Sequence, residues 1–342
     1  TIQRGAPSTS NPSPLARTLN LLRVSLVHCI VDKKPIVFIA LLIFVANSGC
    51  LDFISKDDEN SNILWNTGLN KYCIDHDNKE RCWLLYVPLN SDNNSPLVID
   101  MHGGGDDVYQ QYNTSRFANI SEVDSVVIAY PQGYENLWNQ TDGLCCSDED
   151  DFGFILEMIE EIQLIHPIDS NRIYASGWSN GCGMAQRLAV QASDIFAAAA
   201  CMSMYQFTTA SPNYSPIPFM EVHGLLDEIL HYPTAALTGI YFELYGEGVE
   251  DGAIQNLEEW ADLNNCQGLF PEFFVIENDY DIRGYSDCEN GAEVRLMTLF
   301  YAQHNPYIND DPVSDPGRGS GNPTEIPSTE IIWDFMKQYS KD

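Results

Sequence analysis

A serine framed by glycines, an aspartate just past an apolar run and a late histidine stand in an order that could attack a carbonyl carbon. Gly177-Trp178-Ser179-Asn180-Gly181 follows the pattern G-x-S-x-G. The spacing has a steric cause. A serine on a sharp strand-to-helix turn has its hydroxyl lifted out of the sheet, and the flanking glycines let the backbone pack that tightly. A bare match arises by chance in roughly one chain in ten of this length, so the context decides. Here Arg172–Ser176 reads as the strand before the turn and Cys182–Ala192 as the helix after it.

Such a serine needs a base, and the base needs an acid to orient it. In this arrangement the chain order is serine, carboxylate, histidine. Of seven histidines only His223, His231 and His304 follow Ser179. Phe219–Val222 reads as a strand that leads into His223-Gly224-Leu225-Leu226-Asp227. A carboxylate just past a strand end is well placed to hold an imidazole, so Asp227 is the expected acid. His231 lies only four residues further, within the same loop, whereas His304 follows a separate strand, Glu293–Phe300. The spacing favours His304 as the base. His102-Gly103-Gly104-Gly105 follows the strand Leu97–Met101. A glycine turn there donates a backbone N–H to a developing oxyanion, and the residue after the nucleophile donates the other. Gly104 and Asn180 are the expected donors. This chemistry, serine attack and an acyl-enzyme, calls for no cofactor and no metal. The other histidines read as structural: His102 and His223 as loop packing, His76 as a hairpin tip, His166 as a helix end.

The elements that must carry these residues alternate. Arg81–Val87, Leu97–Met101, Ser125–Tyr130, Arg172–Ser176, Phe196–Met202, Phe219–Val222, Glu272–Ile276 and Glu293–Phe300 read as strands. Phe117–Val123, Asp151–Ile165, Cys182–Ala192, Ile254–Leu263 and Thr329–Tyr339 read as helices. The alternation predicts an α/β fold with a mainly parallel central sheet, right-handed crossovers and helices on both faces. Ligands on such sheets bind beyond the carboxyl ends of the strands, where Ser179, Asp227 and His304 fall. Residues 67–342 are expected to form this catalytic domain.

The chain has 342 residues, with 17 basic against 49 acidic side chains and a net charge of -32. A surface so acidic repels nucleic acid and anionic lipid, which removes both as expected partners. Residues 1–49 read as a leader. Lys33 and Lys34 precede an apolar run from Pro35 to Ala46, and Asn47-Ser48-Gly49 leads to Cys50. This is the make-up of a secretory signal, too short to span a bilayer comfortably. Cys50 after small residues also resembles a lipoprotein cleavage site, so the expectation is a secreted protein or one lipid-anchored at Cys50. Residues 50–66 read as an acidic linker. The eight cysteines past Cys50 are an even number, which in an exported chain points to disulfides. Cys73 and Cys82 flank an expected hairpin, Ile74 to Arg81, and Cys266 and Cys288 flank one expected strand, so both are expected pairs; the spacing leaves the others open. None of the spacings is a zinc pattern.

Several linked stretches now fall in order: PLVIDMHGGG (Pro96–Gly105), AYPQG (Ala129–Gly133), LWN (Leu137–Asn139), Cys145-Cys146, DFGFI (Asp151–Ile155), RIYASGWSNG (Arg172–Gly181), PFMEVHGLLD (Pro218–Asp227), WADLNNC (Trp260–Cys266), CENGAEVRL (Cys288–Leu296), His304 and WDFMKQY (Trp333–Tyr339). Together they resemble the polyhydroxybutyrate depolymerase / feruloyl esterase family of secreted α/β-hydrolases, from about Cys82 to Tyr339. The resemblance implies a serine esterase acting on hydroxyalkanoate polyesters or on feruloyl esters of plant polysaccharide, with the same triad. It also implies Trp138 near the substrate cleft; Trp178, beside the nucleophile, and Tyr130 are expected to join it in an aromatic acyl pocket. The chain departs from the family after His304, where Asn305-Pro306-Tyr307 replaces the usual Trp-Pro, and after the nucleophile, where Cys182-Gly183 replaces the usual second small residue pair. A peptidase or acyl-transferase with the same triad and a non-catalytic binding protein on the same scaffold are the competing readings.

Overall fold

The computed structural model describes residues 66–92, 94–141, 146–232, 252–307 and 322–341. The sheet and its helices lie within Asn62–Asp342. The expected leader, with Cys50, and nearly all of the expected linker lie outside the described residues, as do Cys145 and residues 233–251. No helix among the described residues is long and apolar enough to cross a membrane.

Ten strands make one sheet in the order β1-β2-β4-β3-β5-β6-β7-β10-β9-β8. They are β1 (Gly68–His76), β2 (Lys79–Val87), β3 (Ser95–Met101), β4 (Val127–Pro131), β5 (Ile168–Gly177), β6 (Ala198–Met202), β7 (Phe219–Gly224), β8 (Glu272–Ile276), β9 (Tyr280–Tyr285) and β10 (Val294–Leu299). The six central strands, β4-β3-β5-β6-β7-β10, pair in parallel, and antiparallel pairs close both edges. This is the mainly parallel α/β sheet that the alternation predicts, in the α/β-hydrolase architecture that the resemblance implies.

A parallel sheet must be covered on both faces, and the pleat of β3 shows how. Leu97, Ile99 and Met101 enter one apolar cluster and Val98 the other. The first cluster is closed by helices α3 (Asp151–Ile165), α4 (Asn180–Gln191) and α5 (Ala253–Leu263), through Phe154, Met158, Leu188 and Trp260. The second is closed by α1 (Val108–Ser115), α2 (Phe117–Asp124) and α6 (Ser328–Met336), through Val108, Phe117, Ile332 and Trp333. Trp260 stacks on Phe219 of β7 with ring centroids 4.1 Å apart. Helix α4 is buried from Asn180 to Val190, so the segment after Ser179 has no solvated face on which to shift.

The sequence missed α1, β9 and all of β1 but the hairpin from Ile74 to Arg81. Helix α1 carries few apolar residues; a capping box starts it, with Asp107 accepting from the Tyr109 and Gln110 amides and the Gln110 side chain accepting from the Asp107 amide. The strand expected at Ser125–Tyr130 starts later, because Ser125 takes a left-handed conformation (φ 57°) that ends α2.

Cys73–Cys82 crosses the first edge hairpin and Cys266–Cys288 joins the end of α5 to the β9–β10 connection; both expected pairs form. A third, Cys182–Cys201, ties the first turn of α4 to β6 across 19 residues of chain. Non-reducing peptide mapping should recover all three linked pairs. Replacing Cys182 and Cys201 together by alanine should lower the unfolding free energy by about 3 kcal/mol, measured by denaturant titration; an unchanged midpoint would mean the link carries no stability.

Candidate active site

Strand β5 ends at Gly177, and the chain turns straight into α4 through Ser179, whose backbone sits at φ 53°, ψ -122°. That region is strained for a residue with a side chain. The turn is held by the Trp178 amide on the Met101 carbonyl (3.1 Å) and the Ser179 amide on the Met202 carbonyl (2.8 Å), so the ends of β3 and β6 fix it from either side. Gly181 is required by the same crowding: a Cβ there would lie 2.3 Å from the Met101 oxygen and 2.5 Å from the His102 oxygen.

Strands β7 and β10 are parallel neighbours, so the loops that leave their carboxyl ends run side by side. The amides of Leu225 and Leu226 donate to the carbonyls of Leu299 and Ala302, at 2.8 and 3.0 Å. Gly224 admits that approach, since a Cβ there would meet the Gln303 oxygen at 2.2 Å. This stitching brings Asp227 and His304 together although 77 residues separate them. His304 Nδ1 lies 2.8 Å from Asp227 Oδ2, and His304 Nε2 lies 2.9 Å from Ser179 Oγ. His304, rather than His231, is the histidine that bridges the serine and the acid.

Asp227 is fully buried, and each of its oxygens is engaged. Oδ1 accepts from the amides of Ile229 and Leu230, at 2.8 and 2.9 Å. Oδ2 faces His304 and, at 3.3 Å, His223 Nε2. Burial alone would push its pKa up, but the hydrogen bonds and charge of His223 and His304 outweigh that and hold the carboxyl well below its usual range. The acid is therefore ionised wherever the protein is folded near neutral pH.

Gly104 and Asn180 face one another at the mouth of the elbow: a Cβ on Gly104 would sit 3.5 Å from Asn180 Cβ. The Asn180 side chain is tied to the backbone of Trp138. Its Oδ1 accepts from the Trp138 amide (2.7 Å) and its Nδ2 donates to the Trp138 carbonyl (3.1 Å). The segment around Trp138 is anchored in turn. The Asn139 amide donates to the buried Asp151, which pairs with Arg81, and the Asn139 carbonyl accepts from Arg187 at 2.6 Å.

The two tryptophans expected to line a cleft are buried, Trp138 at 0% and Trp178 at 5% exposure, and their N–H groups point into backbone. Trp138 Nε1 donates to the His102 carbonyl at 2.9 Å, and Trp178 Nε1 donates to the His304 carbonyl at 2.8 Å. Both thus brace the loops around Ser179, a use no sequence signal announced. Tyr130 is likewise fully buried within the second core cluster.

His102 packs the glycine turn. Its Nδ1 donates to the Gly103 carbonyl (2.8 Å), while Nε2 accepts from the amide of Gly133 (2.9 Å) and the side chain of Gln132 (3.1 Å). Burial drives its pKa down to about 4, against the weaker upward pull of the Gly103 carbonyl and Asp107. A histidine depressed on folding stabilises the fold above its unfolded value near 6.5 and loses that contribution as pH falls toward 4. The stability gap between the wild type and His102→Asn should therefore shrink by up to about 3 kcal/mol across that window, measured by chemical denaturation at each pH. A gap constant with pH would mean His102 titrates alike in both states.

The chain matches the family model described as esterase PHB depolymerase over residues 81–242. It is 28% identical over 260 residues to feruloyl esterase B of Piromyces equi, covering 73% of this chain and 43% of that protein. It is 24% identical over 263 residues to a bifunctional acetylxylan esterase/xylanase of Neocallimastix patriciarum, covering 72% of this chain and 36% of that protein. The chain thus spans less than half the length of these two curated relatives. Among solved structures, an acetyl xylan esterase from Aspergillus awamori shares the fold with a TM-score of 0.54 at 15% identity, over 69% of this chain and 94% of that one. A thermostable esterase does so with a TM-score of 0.52 at 16% identity, over 80% of this chain and 63% of that one. The run of motifs, the fold that carries them and these likenesses support the polyhydroxybutyrate depolymerase / feruloyl esterase family of α/β-hydrolases.

Proposed function

We propose that the protein is an exported serine esterase that cleaves carboxylic esters of the feruloyl or hydroxyalkanoate type through Ser179, His304 and Asp227. The observation that carries the reading is the unbroken hydrogen-bonded path from Ser179 Oγ through His304 to Asp227, set at the carboxyl ends of β5, β7 and β10. His304 Nε2 takes the proton of Ser179 as Oγ attacks the ester carbonyl. Asp227 holds the tautomer with Nδ1 protonated and stabilises the imidazolium that forms. The amides of Gly104 and Asn180 receive the oxyanion. The alcohol leaves with the proton from His304, and water, activated by the same histidine, releases the acid from the acyl-enzyme.

Relatives bearing feruloyl and acetylxylan esterase names support an ester of a plant polymer as substrate, and the disulfides Cys73–Cys82, Cys182–Cys201 and Cys266–Cys288 support an oxidising, extracellular setting. The chemistry described requires no cofactor.

The purified protein should hydrolyse p-nitrophenyl butyrate, methyl ferulate or a hydroxybutyrate oligomer, and the ranking among them chooses the substrate class. Ser179→Ala should lower kcat by about ten-thousand-fold or more, and Asp227→Asn by about ten-thousand-fold. Activity that survives in Ser179→Ala would overturn the nucleophile. Cleavage of a peptide amide with no ester turnover would move the reading to a peptidase.

A further inference from the structure

Two histidines besides His304 are wholly buried around the site, and their partners set their charges. A neutral imidazole has one N–H donor and one bare acceptor nitrogen; an imidazolium has two donors. His102 faces an acceptor at Nδ1 and donors at Nε2, so the neutral form satisfies it. His223 faces acceptors on both sides. Its Nδ1 is 2.6 Å from Glu221 Oε1, and its Nε2 is 2.8 Å from the Leu230 carbonyl and 3.3 Å from Asp227 Oδ2. A carbonyl oxygen cannot donate, so Nε2 carries a proton. A Glu221 ionised beside it places one on Nδ1 as well.

We propose that His223 is a standing imidazolium that joins Glu221 to Asp227, and so is a positioning residue for the acid of the triad. The functional half of this assignment rests on the triad reading above; the charge of His223 does not.

The strand sets up the pair. Glu221 and His223 are two residues apart on β7, so both point to the same face, the one that Phe219 shares with α5. There Asn256 of α5 donates to Glu221 Oε2 at 2.6 Å, which holds the carboxylate toward His223. The imidazole ring lies parallel to Tyr205, with centroids 5.8 Å apart, and Tyr232 meets it edge-on at 5.6 Å. An aromatic face within about 6 Å favours a cation. Tyr232 also hydrogen-bonds Thr298, and beyond it Arg283 and Asp281 of β9 pair with each other. The titratable groups in direct contact with His223 are thus Glu221, Asp227, Tyr205 and Tyr232, with His304 on the far side of Asp227. Burial pulls the His223 pKa down, but Asp227 and Glu221 together overcome it and hold the value up at about 10.

The bonds give His223 two effects on Asp227. It closes the acid loop, because Leu230 accepts from His223 through its carbonyl while donating its amide to Asp227 Oδ1. It also cancels the charge of Glu221, so that Asp227 is the one uncompensated carboxylate beside His304. Without the imidazolium two buried carboxylates would bear on His304 and stabilise its protonated form.

Nitrogen-resolved NMR of the wild-type protein at pH 8 reads the charge directly. Both ring nitrogens of His223 should show the imidazolium signature, assigned by its loss in His223→Gln or by proximity to the Tyr205 and Tyr232 rings if that variant does not fold. One bare nitrogen would overturn the assignment, including the case of a neutral Glu221–His223 pair. In His223→Gln that still labels with a fluorophosphonate, the acid limb of the kcat/KM profile should move up by about one pH unit, the low end for a nearby unpaired charge. An unmoved limb would overturn the positioning role. Should Ser179→Ala retain activity, the triad reading fails while the NMR result stands.

Discussion

The structure is organised around the turn at Ser179, where the backbone is forced to φ 53° between β5 and α4. A residue held in such a region costs on the order of 1–3 kcal/mol and persists only where its surroundings over-determine it. Here the surroundings do. Two backbone bonds tie the turn to the ends of β3 and β6, the Gly181 backbone packs against the Met101 and His102 carbonyls, and α4 is enclosed by core along nearly its whole length. The Cys182–Cys201 link then bolts the first turn of that helix to β6. The strain lifts the hydroxyl of Ser179 out of the sheet, and the burial around it keeps the hydroxyl there.

Everything else in the site is placed relative to this point by groups that are themselves buried. Trp178 precedes the serine in sequence and donates to the carbonyl of His304, so the turn at Ser179 and the His304 loop share one side chain. Trp138 binds the backbone of His102 and the side chain of Asn180, so the glycine turn and the start of α4 are likewise coupled. The parallel pairing of β7 with β10 aligns the Asp227 loop with the His304 loop. A buried polar group without a partner costs free energy. The side chains of Trp138, Trp178, Asn180, His102 and His223 each find theirs on a neighbouring loop or strand. Precision at the site is thus the by-product of polar satisfaction in its walls.

Much of this was legible in the chain. Helix Asp151–Ile165 and strand Glu272–Ile276 form with the boundaries their patterns predict, and most other elements differ by a few residues at their ends. The apolar runs are decisive because a parallel sheet buries both faces of its strands. Helix α1 was not legible, since it is specified by a capping box and a narrow contact rather than by an apolar stripe. Strand β9 was hidden because Arg283 and Asp281, which pair with each other, interrupt its apolar pattern. The Cys182–Cys201 pair could not be read because cysteine spacing says nothing about which strand a helix will pack against.

By itself the sequence determined the order serine, aspartate, histidine, the glycines that such a turn demands and the α/β class. Those follow from short-range rules: backbone sterics, apolar periodicity and loop length. Only the tertiary structure decided which histidine reaches Ser179, that the two tryptophans brace backbone, and that His102 and His223 have opposite fates. The protonation of a buried imidazole is set by the donors and acceptors that surround it, and those come from segments far apart in the chain.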